Sequence, residues 1–470
     1  MITTGCGYDA WTGAVRRVVT DLDVPGALGS HGLKVVRTYT SSNSIGWSFS
    51  WSWQIHRLPF TQDGSYLVNF PDGRAEHFYP PSESLVNAGE TAYRSIAGSK
   101  ERLFKHNIDQ SSGTVDLYLE DGSHVHFDRI TQLSGDDSYP IDYFFPRSFT
   151  DPYGLVTTLV YTQYGNEYND THLTSVIDPS GRSLTYHYDP TNLFLTSITA
   201  STGQSVSYNA DGTVSYSDGT SATYTYAETH YKNSVCDKGI CKPFKLATAQ
   251  DVRAEGPMQS IRYTYLDPGN FQGQVHEEQH LSGLEVSRFN PTNGRGSTSA
   301  TNTENRGDGP QRSFYIVKSG NAHLLKSKTD FQGHAETYDY DNNKYLSAIH
   351  DRNGNPATTF QNEPILGRPL VITHPAGNGY AQSTRTYGYL DTANPDPTNP
   401  YYVYSVKDDN EQTTSYQRDP VTHRILEVDY PDGATETFQY NSLGQVTRHK
   451  RKNGYYEFAD YDATTHLLTT

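Results

Sequence analysis

The chain has 470 residues and a formal net charge of −16, with 37 Lys and Arg against 53 Asp and Glu; no basic stripe offsets that balance, which argues against a general nucleic-acid binder. Hydrophobic residues make up 34 %, and the figure barely moves when Gly (39) is counted in place of Tyr (37), so it stays below the roughly 45–50 % of ordinary globular domains. Aromatics at 13 % are too abundant for wholesale disorder, and the composition describes a large-surface β structure knit by cross-strand tyrosine pairs.

No apolar stretch approaches the ~20 residues of a membrane span. The start, MITTGCGYDAWTG, lacks the basic and apolar regions of a secretory signal. VRRVVTDLDV and LKVVRTYT read as strands around the Pro25-Gly26 turn. GWSFSWSWQI places Trp47, Phe49, Trp51 and Trp53 on one face of a half-buried strand and Ser48, Ser50 and Ser52 on the other. FPDGRAEHF and YLEDGSHVHF are turn-plus-strand units, and 90–105 is expected to hold a short helix between them. Residues 228–257 interrupt the array with a cysteine-containing loop, and IRYTY (261–265) resumes it. From Asn290 to Ser313 the chain is polar and reads as a loop or linker. A second array runs from Phe314, with an excursion at DTANPDPTNP, to YDATTHLLTT, which reads as the first half of a further repeat. Both ends therefore suggest a piece of something longer. The expected division is a β segment at 1–60, a first array at 61–285, a linker at 286–313 and a second array at 314–470.

The arrays share a register. Gly73, Gly122, Gly181, Gly203, Gly219, Gly333 and Gly433 are each followed at the fifth place by an aromatic: Phe78, Phe127, Tyr186, Tyr208, Tyr224, Tyr338 and Phe438. After four of them a Tyr also stands at the seventh place: Tyr188, Tyr226, Tyr340 and Tyr440. In YSDGTSATYTY (216–226) the Asp-Gly pair supplies a hairpin turn that reaches positive φ. The strand after it puts Ala222, Tyr224 and Tyr226 on one face. Such self-similarity signals a repeat array, with the glycines as turn positions and the aromatics as a structural ladder. A β-propeller, with blades of about 40–45 residues, fits the irregular glycine spacing less well.

The phrases DPSGRSLTYHYD (178–189), DFQGHAETYDYD (330–341) and YPDGATETFQYNSLGQVTRHKRKNG (430–454) resemble the YD repeats of the Rhs family, which includes the C components of insecticidal toxin complexes and the teneurins. The opening, TGAVRRVVTDLDVPGALGSHGLKVVRTYTSS and GWSFSW, resembles the segment that precedes those repeats. The resemblance implies an all-β, antiparallel spiral of hairpins that is part or all of a hollow shell, the β-cocoon, with 1–60 as a plug-like start. It implies a non-catalytic scaffold that encloses a toxin or other polypeptide cargo, or joins the rest of a shell and its C-terminal toxin. It also implies export as part of a larger secreted or surface assembly. The competing reading is an adhesion module that binds glycans or proteins through exposed aromatics.

Candidate sites each have a plain structural reading beside the chemical one. Asp151-Pro-Tyr-Gly-Leu155 is similar to the motif at which many Rhs shells cleave themselves. Here it lies in the first third of the chain and reads as turn chemistry. His124 and His126 share a strand face, but with no third ligand they read as surface residues. Asp339, Asp341 and Asn343 begin like a calcium loop that Lys344 and His350 spoil. Arg448 to Lys452 read as a solvated hairpin. Cys236 and Cys241 bracket DKGI: in an oxidising compartment they can close a loop disulfide, and elsewhere they are free thiols. No catalytic, metal or cofactor residue is expected, and neither nucleic acid nor a membrane span is expected among the partners.

Overall fold

A computed structural model describes residues 9–41, 47–57, 64–81, 92–95, 99–106, 113–132, 141–164, 171–228, 244–254, 259–265, 275–281, 286–290, 292, 297–307, 309–319, 322–364, 367–377, 381–389 and 402–469. The chain is all-β, with 36 strands among the described residues. Strands β1 (Arg16–Asp23), β2 (Lys34–Thr40) and β3 (Trp47–Phe49) form a small antiparallel sheet of their own. All later strands, from β4 (Gln54–Arg57) to β36 (Tyr456–Phe458), join one continuous sheet in which each strand pairs antiparallel with the next.

That sheet closes on itself once and then spirals. The ten-residue β11 (Ile141–Thr150) is the fork. Near its start one edge pairs with β4 through Tyr143↔His56 and Phe144↔Ile55. Near its end Ser148 to Thr150 pair with β12 (Val156–Gln163). Strands β4 to β11 therefore form a closed ring, and everything from β12 onward continues as a strip wound from that seam. The ring's Ile55, Val68, Phe78, Leu103, Leu117 and Phe127 are fully buried, in one core with residues of the small sheet. Later hairpins return to lie against the ring and the small sheet. The Arg102 Nη2 donates to the Tyr345 hydroxyl at 3.1 Å, the Tyr402 hydroxyl donates to the Pro152 carbonyl, and Gly26 packs against Leu467.

Burial falls sharply along the strip. Hairpins up to Phe289 share a core with the small sheet, and Ala300, Phe314 and Ile316 form a second core with Ala10 and Trp11. From residue 323 on, the buried hydrophobics among the described residues are Tyr345, Tyr389 and Val428 alone. There both faces are half-exposed, as in β35 (Val446–Lys450). The later strip is a wall one sheet thick.

A β-bulge recurs along the strip, roughly once per repeat and at a corresponding place. Register slips at His187/Tyr188, Asp339/Tyr340, Gln417/Arg418 and Gln439/Tyr440, among others. A bulge takes one residue of the bulged strand off the ladder, and a carbonyl beside it needs a new donor. The next repeat supplies it. Tyr188 donates to Leu173 O, Tyr265 to Leu246 O, Tyr340 to Leu325 O, Tyr389 to Pro369 O, Tyr440 to Ile425 O and Tyr461 to Val446 O, at 2.7 to 3.1 Å. Asn362 and Arg418 fill the same role toward Leu346 O and Val403 O. The Asp or Asn that follows the tyrosine caps the next turn: Asp341 Oδ1 accepts the Asn343 and Tyr345 N–H groups, and Asn441 Oδ1 accepts those of Leu443 and Gln445. So Tyr-Asp is a hydroxyl clamp followed by an Asx turn.

Several sequence expectations need correction. The stretch 286–313 is no linker: it holds β22 (Val286–Asn290), β23 (Ser299–Arg306) and the start of β24 (Gln311–Ser319). Its polarity misled because Asn302 and Glu304 face inward and are buried, where Asn302 reaches Ala10 O and Glu304 pairs with Arg312. Within 228–257, strand β19 (Phe244–Asp251) belongs to the sheet. The region 90–105 carries β7 (Tyr93–Ser95) and β8 (Arg102–His106) in place of a helix, because Tyr93 and Leu103 pair across the sheet with buried side chains. The tryptophan strand breaks at Trp51, whose φ of 74° turns the chain from β3 into β4. Cys6, Cys236 and Cys241 lie outside the described residues.

Two measurements check these devices. Gly212 and Gly219 both sit at positive φ, but a Cβ on Gly212 would strike the Tyr224 carbonyl while Gly219 faces open space. Gly219→Ala should cost about 1–2 kcal/mol from backbone strain alone, and Gly212→Ala distinctly more; equal denaturant midpoints would refute this packing. Tyr340→Phe should lose about 1 kcal/mol by stranding the Leu325 carbonyl. A midpoint matching wild type would show that water serves that carbonyl as well as the hydroxyl does.

Candidate functional site

The residues with the most specific chemistry lie where the small sheet docks against the inner face of the wound one. Asp21, at the register slip of β1, and Arg37 on β2, opposite Val19, are both buried. Arg37 donates from Nε and Nη2 to the two Asp21 oxygens, the second at 2.9 Å. The same carboxylate accepts the Tyr208 hydroxyl at 2.8 Å and the Tyr216 hydroxyl at 3.0 Å. The guanidinium lies 4.5 Å from the Trp47 ring centroid and about as close to the Tyr208 and Tyr224 rings, at 5.2 and 5.1 Å. Tyr224 in turn donates to Asp251, which faces Arg17 at 3.7 Å. A buried pair satisfied on every side holds its partners in one register, whereas a half-satisfied one is costly.

The electrostatics suit this role. Burial, joined by Asp21, pushes the Tyr208 phenol well above its usual range. Burial is also the main cause of the upward shift of Tyr224. Both phenols therefore keep their protons and act as donors. Burial alone would depress Arg37, but Asp21 together with Tyr224 and Tyr208 outweighs it and holds the guanidinium charged. A second node lies alongside. Glu278 is fully buried, accepts His280 Nε2 at 2.8 Å and lies near Glu304. Burial is the largest cause that raises its carboxyl to about 6. Glu304 is held by Arg312 Nε and Nη2 at 2.9 and 2.7 Å.

The sequence-selected residues fall into two groups. The seven turn glycines all adopt positive φ, from 80° to 96°. Phe78, Phe127, Tyr186 and Tyr224 are buried, and Tyr208 points at Asp21. Tyr338 and Phe438, in the thin later wall, are only half-buried, and Phe438 stacks on His449 at 4.5 Å. Of the seventh-place tyrosines, Tyr188, Tyr340 and Tyr440 are clamps. Tyr226 is 37 % exposed and accepts the Trp47 indole N–H at 2.9 Å. Sequence reading missed Asp21, Arg37, Asp251, Glu278 and Glu304, because charged residues on β-strands look solvated until their partners, some 187 residues away for Tyr208, are known.

The hairpin between β1 and β2 reaches the seam. Leu28 N donates to Asp178 Oδ2 and Ser30 N to Asp151 Oδ2, at 2.9 and 3.0 Å. Asp151 also accepts its own turn's Tyr153 and Leu155 N–H groups, so the Asp-Pro-Tyr-Gly-Leu segment is a capped turn. His124 stacks on Tyr118, and His126 bonds Asp116. Among the described residues no group of three or more His, Cys, Asp or Glu is placed to hold a metal. No helix there is long and apolar enough to cross a membrane.

Residues 168–205, which span the β-turns at Asp178 and Asp189, match the family described as RHS Repeat. The chain is an all-β repeat protein, and that segment of it is similar to the RHS repeat. It is similar along 97 % of its length to the Photorhabdus luminescens Tc holotoxin pore, at 13 % identity and a TM-score of 0.38, and covers 26 % of that chain. A TcdB2-TccC3 crystal structure is matched to the same extents, at 14 % identity and a TM-score of 0.39. The N-terminal domain of the effector SpvB from Salmonella typhimurium strain LT2 is matched over 73 % of this chain and 100 % of that one, at 12 % identity and a TM-score of 0.22. The chain thus spans about a quarter of the two Tc structures. No curated protein sequence matches it significantly.

The Glu278 site has a signed pH dependence. A carboxyl raised in the fold favours folding below its ordinary value of about 4.5 and loses that advantage as pH rises through about 6. Glu278→Gln should therefore stabilise the protein at pH 8 by up to about 2 kcal/mol and change little at pH 4.5. An equal effect at both values in denaturant titrations would rule out a carboxyl held protonated by burial.

Proposed function

We propose that the chain is the non-catalytic wall of an Rhs-type shell, that it encloses a polypeptide cargo, and that residues 1–60 are its plug. The observation behind this is the change in thickness along the strip. A sheet that packs a core for its first turn and then runs on with both faces half-exposed has gone beyond what a globular fold needs. Such a layer bounds a space: its inner face stays wettable, and its clamps and turns are internal to the layer. The plug is tied to the early hairpins of the strip through Asp21, Arg37 and Tyr208, Tyr216 and Tyr224, which gives the winding a fixed start. The cargo is a toxin or another polypeptide, or the remainder of a shell with its C-terminal toxin. A shielded toxin cannot act on its producer, and the assembly is exported or displayed at the cell surface. The wall needs no cofactor.

The test uses an unfolded reporter polypeptide fused behind Thr470. Enclosure predicts that the reporter survives a protease concentration that degrades it when free, and that solution scattering shows a low-density interior. Prompt digestion together with a solid or flat particle would defeat the container reading. A second reading has its own observation: Tyr455, Tyr456 and Phe458 are 73, 48 and 68 % exposed together at the last strand. Aromatic faces of this kind suit sugar rings. Glycan binding lost on replacing these three, in a chain that leaves the reporter unprotected, would establish the adhesion function instead.

A further inference from the structure

The seam between the spiral's turns contains a cleft of about 410 Å³. Its walls come from the β1–β2 hairpin tip (Leu28), the Asp151 turn (Tyr153, Leu155) and the late repeats (Arg424, Tyr440, Leu443). We propose that this cleft binds an amphipathic carboxylate, a small acid or chain terminus with an apolar body, and that Arg424 is its cation. The proposal stands independently of the enclosure reading.

Arg424 is 8 % exposed, and among the described residues its guanidinium has no hydrogen bond or ion pair. That sets it apart from the other buried arginines near acids: Arg37 holds Asp21, Arg312 holds Glu304 and Arg368 faces Glu363. Its charge is flanked by the Tyr153 and Tyr440 rings, each 5.7 Å from the guanidinium carbon. It presses against Gly444, where any side chain would collide with it. The guanidinium nitrogens keep their solvent contact through the cleft, and a guanidinium fork matches one carboxylate with two parallel hydrogen bonds.

The surroundings select among anions. Leu28, Leu155, Ile425 and Leu443 supply apolar wall. Asp151 lines the cleft too, but its oxygens already accept the N–H groups of Ser30, Tyr153 and Leu155. Asp419, near Arg424, caps its own turn through Val421 and Thr422. With two carboxylates close by and one cation, a dianion such as phosphate is disfavoured relative to a monoanion. The volume falls in the range of about 300–1,000 Å³ usual for ligand clefts. A ligand there would touch all three walls and pin the late repeats to the first turn.

The probes are 3-phenylpropionate, its amide 3-phenylpropionamide, N-acetyl-leucine and inorganic phosphate, read by calorimetry and by thermal shift on the full chain. The expected result is binding and thermal stabilisation by the carboxylates, with neither from the amide or phosphate. Arg424→Gln should weaken carboxylate binding about tenfold or more, and Arg424→Lys less. Tyr153 is 40 % exposed, so Tyr153→Ser keeps the fold testable if Arg424 variants unfold, and it should weaken binding as well. Tighter binding of N-acetyl-leucine identifies a peptide terminus as the source, and tighter binding of 3-phenylpropionate a free acid; both support the site. Amide binding equal to the acid, phosphate binding equal to the carboxylates, or carboxylate binding unchanged in Arg424→Gln and Tyr153→Ser would each overturn it.

Discussion

A sheet one layer thick has no interior in which to bury a stray carbonyl. Every bulge that bends such a sheet frees one, so curvature and hydrogen-bond satisfaction compete. In this chain the conflict is resolved by the next repeat. A tyrosine hydroxyl from one hairpin takes the carbonyl left by the bulge of the hairpin before it, from Tyr188 on Leu173 to Tyr461 on Val446. The curvature of each hairpin is thus locked by its successor. A wall built this way can stay thin, because its cohesion runs along the layer and does not need a second layer packed behind it.

Where a second layer does exist, it is electrostatic as much as apolar. The small sheet offers Asp21 and Arg37 to the wall, and the wall answers with Tyr208, Tyr216, Tyr224 and Asp251. Raised phenol pKa values keep these donors in one state over any ordinary pH. Glu278 behaves differently. Burial brings its carboxyl into the range where mild acid changes its charge, so the two nodes of one interface differ in their sensitivity to pH.

The glycine-plus-five and glycine-plus-seven register was open to reading because turn and strand chemistry are local. Gly219 and Tyr224 are five residues apart, and each signals its role by type. An array of hairpins followed from repeating that local unit, while its winding came from the resemblance to the YD repeats. What stayed hidden was long-range or inverted. Asn302 and Glu304 look like loop residues, yet they are buried because Ala10 and Arg312 come to them. Trp51 keeps the period of a strand while its backbone turns through positive φ. The seventh-place tyrosines were legible as structure, but their hydroxyl work needs the bulge, and no residue type announces a bulge.

The fork at β11 gives the molecule a property that closed barrels lack. A closed barrel fixes its strand number, since adding a hairpin changes the circumference for every strand. Here only the eight strands β4 to β11 are bound by closure, and the rest of that sheet is an open ribbon. The places where that ribbon touches down act as registration marks: Tyr345 on Arg102, Tyr402 on Pro152, Leu467 on Gly26. Inserting a hairpin between two marks shifts every later one off its partner, while lengthening the ribbon beyond the last mark disturbs none. Growth of the gene by duplication is therefore steered toward one end of the repeat array, where each added unit needs only the carbonyl that the previous unit presents.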